Sequence, residues 1–533
     1  MRREYVLFYF LMSSMLSAAV STSPLQNEEQ RKVYEKLQNI DTTIPSPIFS
    51  PEFKTTDDRN DSICFISRSI VVHNVTMVSE DERRAMIAPY IGKCNGIRAL
   101  NALADTMTRR YIEKGYITSR VYLTPQDIAD GTVDLYAIEG KIDHIVSDNR
   151  KTSGAFIGLA GKYLDLGDLE TSIEQVNRLR SNTTTMQLIP SEKEGFSDVV
   201  LTSKETRPFF GSLGVNNYGS DTTGKYQISG GLVWENFIGL SDVLSINLNT
   251  TNKHQTGARS SGNSCNYVVP LGRWLWEAGA SRFTYEQTIH GLNDDFIARG
   301  ESSVYSLGTT YKLFHTRSQK VELSAAMAQK KTKSKLEDAV IESSTYNLTV
   351  GNIGAKYVYR QSSWEMYALL NYYHGLNPFN PTTQGALKHD FAKWTLALGA
   401  TKYFDTAIPF TYNLSAYAQR SNDLLYSVEQ INIGGAYSVR GYQFQGLHGN
   451  SGWYARNETA YRFGDISPYL GVDVGHISTS EDTEGGTLYS GIYGIRAAYK
   501  RFSADLYHAI PLKHPQEHFS AFPFIGFSIS ANF

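Results

Sequence analysis

Long hydrophobic runs are missing from this chain of 533 residues. Beyond one short apolar stretch at the start, no run of about 18 apolar residues occurs, so a bundle of membrane-spanning helices is excluded. Proline is scarce, at 16 residues, while hydrophobic residues make up 41%, and together these exclude a disordered polymer. Neither sign of charge dominates: the net charge is -2, with no bulk attraction to nucleic acid. Cysteine is nearly absent. Cys64 and Cys94 lie 30 residues apart and can pair in an oxidising compartment, while Cys265 stands alone. There is no GxxxxGK[ST] loop to hold a nucleotide and no nucleophile–base constellation, so no catalytic residue, cofactor or metal is expected.

Tyrosine and glycine are plentiful, at 34 and 43 residues. All six tryptophans and 25 of the 34 tyrosines follow residue 206. Membrane β-barrels segregate aromatics in this way, because aromatic girdles sit at both bilayer interfaces. The start of the chain supplies the route. Arg2-Arg3, the apolar Val6–Met12 and the small residues Ser17-Ala18-Ala19 read as a secretory signal peptide over residues 1–19. An exported protein without spanning helices can cross a membrane only as a closed barrel.

Residues 25–40 form a helix-favouring run in which Val33, Leu37 and Ile40 make a narrow apolar stripe. A helix this short is marginal alone and must dock. Residues 41–61 carry three prolines and read as a linker. Residues 62–139 run strand, helix, helix, strand, strand, with helices expected at Glu80–Ile91 and Ile97–Glu113. A looser copy follows over 140–206, including a short helix at Ala155–Ala160 and a longer one at Leu169–Leu179. Two small α+β domains in tandem fit this order.

From residue 207 the period becomes two. Leu244, Ile246 and Leu248 alternate with Ser245, Asn247 and Asn249; Tyr346, Leu348 and Val350 alternate with Asn347, Thr349 and Gly351. Such segments, split by turn residues, are the signature of a transmembrane barrel, and roughly sixteen strands fit into residues 207–533. The last one, Phe522–Phe533, alternates up to a C-terminal Phe533, as outer-membrane barrels usually end. Two motifs stand out: Val439-Arg440-Gly441-Tyr442 in a glycine-rich stretch, and Gly471-Val-Asp473-Val-Gly475 on a strand. In the second, Leu470, Val472 and Val474 face lipid. Gly471, Asp473 and Gly475 share the lumen side and leave room for a neighbouring segment. An arginine fork such as Arg440 binds a carboxylate with two hydrogen bonds.

VRGY followed by GxDxG resembles the barrel signature of the POTRA-bearing outer-membrane superfamily. Tyr111–Asp127 with Gly131 and Glu139-Gly140 resembles the first POTRA domain of two-partner secretion transporters (the TpsB family). Met186–Pro190 with Gly195–Ser197 resembles the second, although Ser191 stands where the family has glycine after the proline. The resemblance implies a 16-strand outer-membrane barrel behind two periplasmic POTRA domains, with a plug helix inside it. It implies a Gram-negative outer membrane and a reentrant loop pinned by Arg440 to Asp473. A secreted, TpsA-like exoprotein would be the client: an adhesin, a haemolysin or a contact-dependent inhibition toxin, whose activation is a further role. Outer-membrane lipid and the barrel-assembly machinery are the other implied partners. The rival within the superfamily is a barrel-assembly factor, which typically carries more POTRA domains. His514-Pro-Gln-Glu517-His518 matches a zinc-protease pattern, but Pro515 and its place between the last two strands put it in a loop. Lys330–Lys335 reads as a solvated turn beside a strand.

Overall fold

The computed structural model describes residues 23–41, 64–148, 154–252, 257–291, 294–316, 318–376, 387–443, 445–480, 483–515 and 521–533. The expected signal peptide, nearly all of the linker, and Glu517 and His518 lie outside them.

Helix α1 (Pro24–Gln38) starts one residue before the expected run and ends two residues short of it. Ser23 caps it through a reciprocal capping box with Gln26, and Pro24 sits at the first turn, where a missing N–H costs nothing. The first α+β module holds a three-stranded sheet with Thr132–Ile138 in the centre, Ser69–His73 parallel on one side and Arg120–Leu123 antiparallel on the other. Asn74, at a φ of 60°, turns the chain out of the strand Ser69–His73. Helices α2 (Glu80–Ile87) and α3 (Ile97–Glu113) follow; a short 3-10 turn takes over where the first was expected to continue. Leu100, Leu103, Ala104, Met107 and Tyr111 of α3 recur at helical spacing and close over Val133, Leu135 and Ala137 of the central strand. Glu139 ties the edge of this module together. Its carboxylate accepts the N–H groups of Thr76 (2.7 Å) and Met77 (2.8 Å) and the Tyr111 hydroxyl (2.7 Å). Burial pushes that carboxyl up, and the hydrogen bonds outweigh it and hold it below the usual carboxylate range.

The second module repeats the plan: Phe196–Glu205 in the centre, Lys141–Ser147 parallel, Asn182–Pro190 antiparallel, and helix α4 (Leu166–Asn177) across the face. The helix expected at Ala155–Ala160 is a single 3-10 turn. Ile117 of the first module is buried in the core of the second, with Ile142, Leu169 and Val199, which joins the two. Cys64 and Cys94 form a disulfide, their Cα atoms 5.3 Å apart, beside the small pairing of Phe65–Ile66 with Cys94–Asn95.

The remainder is a closed antiparallel barrel of sixteen principal strands, from Phe209–Asn216 to Phe524–Asn532. Alternation places Leu232, Ile246, Leu307, Met327 and Ile353 on the outer face, all exposed, as the hydrophobic residues of a lipid-facing wall must be. No helix among the described residues is long and apolar enough to cross a membrane, so strands alone do so. The first and last strands close the wall through Ser528–Asn532 opposite Asn216–Ser212, and Phe533 completes the seam with two backbone bonds to Gly211. Four successive strands are long; Asp295–His315 alone has 21 residues. About 9–11 suffice to span a bilayer, so this side of the wall stands above the membrane. Lys330–Lys335, expected as a turn, is the upper part of the strand Gln319–Leu336. Thr332 and Ser334 are buried inward and the intervening lysines point outward. A strand with no apolar side gives no hydrophobic alternation to read.

Candidate functional site

Between the strands Phe410–Arg420 and Gly452–Tyr461 the chain does not cross over the top of the barrel but folds back into it. Ile431–Ile433 pairs with Leu447–Gly449 as a small hairpin, and Gly434, Gly435 and Gly441 take positive φ to make the turns. An apolar cluster of Ile431, Ile433, Val439, Leu447, Tyr454, Ile477 and Leu488 seats the hairpin against the wall.

Arg440 leaves this loop and is 1% exposed; Asp473 on the strand Ile466–Ile477 is fully buried. The guanidinium is bidentate, with Nε donating to Oδ2 at 2.7 Å and Nη2 to Oδ1 at 2.8 Å, and the Arg440 backbone N–H also donates to Oδ2 at 3.1 Å. The flanking glycines make this approach possible. A Cβ on Gly475 would lie 2.8 Å from Val439 Cγ2, and one on Gly471 would lie 2.8 Å from the Asn457 carbonyl and 3.6 Å from Arg440 Nη2. The Tyr442 hydroxyl lies 2.7 Å from the Tyr489 carbonyl and 2.6 Å from that of Lys513, on two further strands.

The pair is the centre of a larger network that the sequence alone did not reveal. Arg440 Nη1 lies 2.6 Å from Glu458, which pairs with Arg496 at 2.7 Å; Arg496 reaches Asp505 at 3.3 Å, and Arg456 flanks Glu458 and Asp473. Three arginines thus face three carboxylates, Arg440 from the loop and the other five from the inner side of their strands. The signal was faint: charges on alternate positions, Arg456 and Glu458, in a strand whose other side carries no charge.

Helix α1 lies in the lumen against the same loop. Gln30 Nε2 donates to Ser438 Oγ (2.5 Å) and to the Asn432 carbonyl (2.8 Å), Gln26 reaches Gln430 at 3.3 Å, and the Tyr34 ring packs 5.5 Å from that of Tyr437.

This arrangement of loop, wall and modules has close counterparts among known proteins. The family model described as "Haemolysin secretion/activation protein ShlB/FhaC/HecB" matches residues 195–497. The chain belongs to this family. POTRA models match residues 65–140, of the ShlB type, and 136–190. The outer membrane transporter CdiB of Dickeya dadantii (strain 3937) is 27% identical over 92% of this chain and 89% of its own. The hemolysin transporter protein ShlB of Serratia marcescens is 27% identical, over 83% and 81%. The solved structure of CdiB from Escherichia coli superposes with a TM-score of 0.83 at 27% identity, covering 96% of this chain and 99% of that one. The protein is an outer-membrane transporter of two-partner secretion, with its POTRA modules in the periplasm.

In the transporter, the second POTRA module is fastened to the periplasmic mouth of the barrel. Glu174 of α4 sits between Lys312 (2.8 Å) and Lys320 (3.2 Å) of two neighbouring strands, and Lys320 also holds Asp41, just past α1, at 3.0 Å. Lys356 binds Glu322 at 2.5 Å and donates to the Asp41 carbonyl at 3.4 Å. Asp168 pairs with Arg273, and Glu235 accepts the N–H groups of Arg180 (3.1 Å) and Ser181 (2.7 Å). One ion cluster therefore touches the POTRA module, the barrel and the exit of the lumen helix. Beside α1 runs an open polar lane of about 730 Å³, bounded by Arg31 and Glu35 of the helix and by Ser229, Asn247, Ser264 and Ser306 of the wall.

Proposed function

We propose that α1 is the plug of this pore, that the POTRA modules capture an extended exoprotein client, and that the client then passes through the polar lumen to the cell surface. The observation that carries this reading is how α1 is held. Its buried side chains include Gln26, Glu28 and Gln30; Gln26 and Gln30 hold the loop by hydrogen bonds that water can replace once the helix leaves, and Leu25 adds one apolar anchor, against Leu425, Tyr426 and Val428. A helix packed by apolar contacts would belong to the core; one held by exchangeable polar contacts can leave. The lane beside it is lined mainly by serine, asparagine and charged side chains, with Leu248 and Val304 among them.

Capture takes place on a POTRA sheet edge. The strands Asn182–Pro190 and Lys141–Ser147 flank the second sheet and Ser69–His73 and Arg120–Leu123 the first, so each sheet ends in strands with unpaired backbone groups. An added strand gains affinity from main-chain hydrogen bonds and asks little of the client's side chains. The strand Asn182–Pro190 is the preferred dock, because it belongs to the module fastened to the pore. Arg440 anchors the reentrant loop to Asp473 and so sets the shape of the exit, and Phe533 is the signal read by the barrel-assembly machinery. The test places a photo-crosslinking residue on each of the four edge strands in turn, at Gln187 on the preferred one, and co-expresses a TpsA-like exoprotein that the transporter secretes. Crosslinks to its N-terminal region support the reading. Normal secretion with no crosslink at any of the four edges overturns capture by strand addition.

A further inference from the structure

Above its apolar band the outer wall carries a dense, mostly cationic face. Facing outward along the strand Trp274–His290 are Trp274, Trp276, Ala278 and Ala280, and then Arg282, Thr284 and Glu286. The strands beside it change character at the same rows. Tyr311, Leu307 and Tyr305 give way to Glu301 and Arg299, and Leu323 and Met327 to Lys331, Lys333 and Lys335. Arg259 joins them opposite Glu286. The face holds six cations against two carboxylates. Glu286 already serves Arg259 at 2.8 Å and Arg299 at 3.3 Å, and Glu301 serves Arg282 at 2.9 Å. Among the described residues, Lys331, Lys333 and Lys335 have no carboxylate partner. Arg259, Arg299, Lys333 and Lys335, together with Glu286 and Glu301, line a cavity of about 470 Å³, a volume typical of small-molecule sites.

The height of this cavity selects its occupant. Arg299 lies twelve residues beyond Tyr311 on its strand, which is about 30 Å of height for a strand tilted by some 40°. The apolar band of an outer-membrane barrel is about 25 Å tall, so these cations stand at the headgroups of the outer leaflet. They face away from the lumen and from any client within it.

We propose that this face is a binding site for the phosphorylated headgroup of an outer-leaflet glycolipid, with the Arg259 and Arg299 guanidiniums and the Lys333 and Lys335 ammoniums as the phosphate cradle. Guanidinium forks match phosphate oxygens bidentately, and the lysines add point charges that form no ion pair with a described carboxylate, Glu301 opposite Lys333 being engaged by Arg282. The inference rests on the outer-membrane location and is independent of how the client is captured.

The test measures binding of fluorescent bisphosphorylated lipid A to the full-length transporter in neutral detergent micelles, with dephosphorylated lipid A as the second ligand. Each cation near an anionic headgroup is worth about a fivefold change in affinity, so K333Q/K335Q is expected to bind about thirtyfold more weakly. E286Q, which releases both arginines, is expected to bind more tightly, a direction that loss of fold cannot produce. Parent affinity in K333Q/K335Q, weakened binding in E286Q, or equal affinity of the parent for both lipids would overturn the proposal.

Discussion

The plug is tied at both ends, and the two ties can be cut separately. Near its start, Gln30 makes two hydrogen bonds to the loop; past its end, Asp41 meets Lys320. Gln30→Ala removes two neutral bonds at roughly 1 kcal/mol net each, since Ser438 Oγ keeps the Gly434 N–H and carbonyl as partners. Asp41→Ala removes one ion pair, and Lys320 keeps Glu174 and Glu322 as partners, so about 1 kcal/mol is lost. The sites are eleven residues apart, about 16 Å along a helix, and share no partner, so their effects should add. The double variant should therefore shift the equilibrium toward the vacated lumen by about 3 kcal/mol, on the order of a hundredfold. Purified transporter in planar bilayers reports this directly as the fraction of time in the high-conductance state. Gln30→Ala should raise that fraction about thirtyfold and Asp41→Ala about fivefold, until the open state saturates. A double variant whose open fraction stays within about twofold of the parent would refute the plug and its tethers together.

Three further outcomes follow from the same geometry. Arg440→Ala strands the buried Asp473 without its main partner, leaves Glu458 only Arg496 and Arg456, and should weaken loop docking by about 3–5 kcal/mol, cutting secretion while the barrel still inserts. Arg440→Lys should fail as well, because one ammonium cannot satisfy both Asp473 oxygens and Glu458; normal secretion by either variant would refute the anchor. Gly475→Val should impair secretion by pushing Val439 off the wall, whereas Gly491→Ala, whose Cβ would meet only Leu512 at 3.7 Å, should be silent in the same assay. In the first POTRA module, Glu139 has a carboxyl held below its unfolded value, so its stabilisation is present above that value, near pH 4, and is lost as pH falls through the folded one. Glu139→Gln should remove that acid-dependent part. Hydrogen exchange in α3 of the parent and the variant, compared at neutral and acid pH, would expose an error if both respond alike.

Much of the architecture was legible because burial imposes a period. Helix α3 could be read from Leu100, Ala104, Met107 and Tyr111 to the residue, since one face of it is the core of its module. The barrel could be read from alternation wherever one face meets lipid. Lys330–Lys335 was misread because that strand rises beyond the lipid and loses its apolar phase. The Arg440–Asp473 pair could be inferred from two motifs, but Glu458, Arg496 and Asp505 come from separate strands, and no local pattern marks which inward charges meet. The same holds for Glu174, Lys312 and Lys320 at the periplasmic mouth, which only the docking of a module on the barrel brings together.

The seam at Gly211 and Phe533 bears on how the wall is built. Asn217 bonds to Ile525 and Phe527, partners 308 and 310 residues away in sequence. Every other junction of the wall joins strands that follow one another along the chain, while this one must close a loop that contains the whole domain, the slowest kind of contact to form. Closure is therefore the last event of biogenesis. A chain interrupted anywhere before Phe524 keeps an open sheet edge and encloses no pore, so topology itself prevents a half-made transporter from leaking.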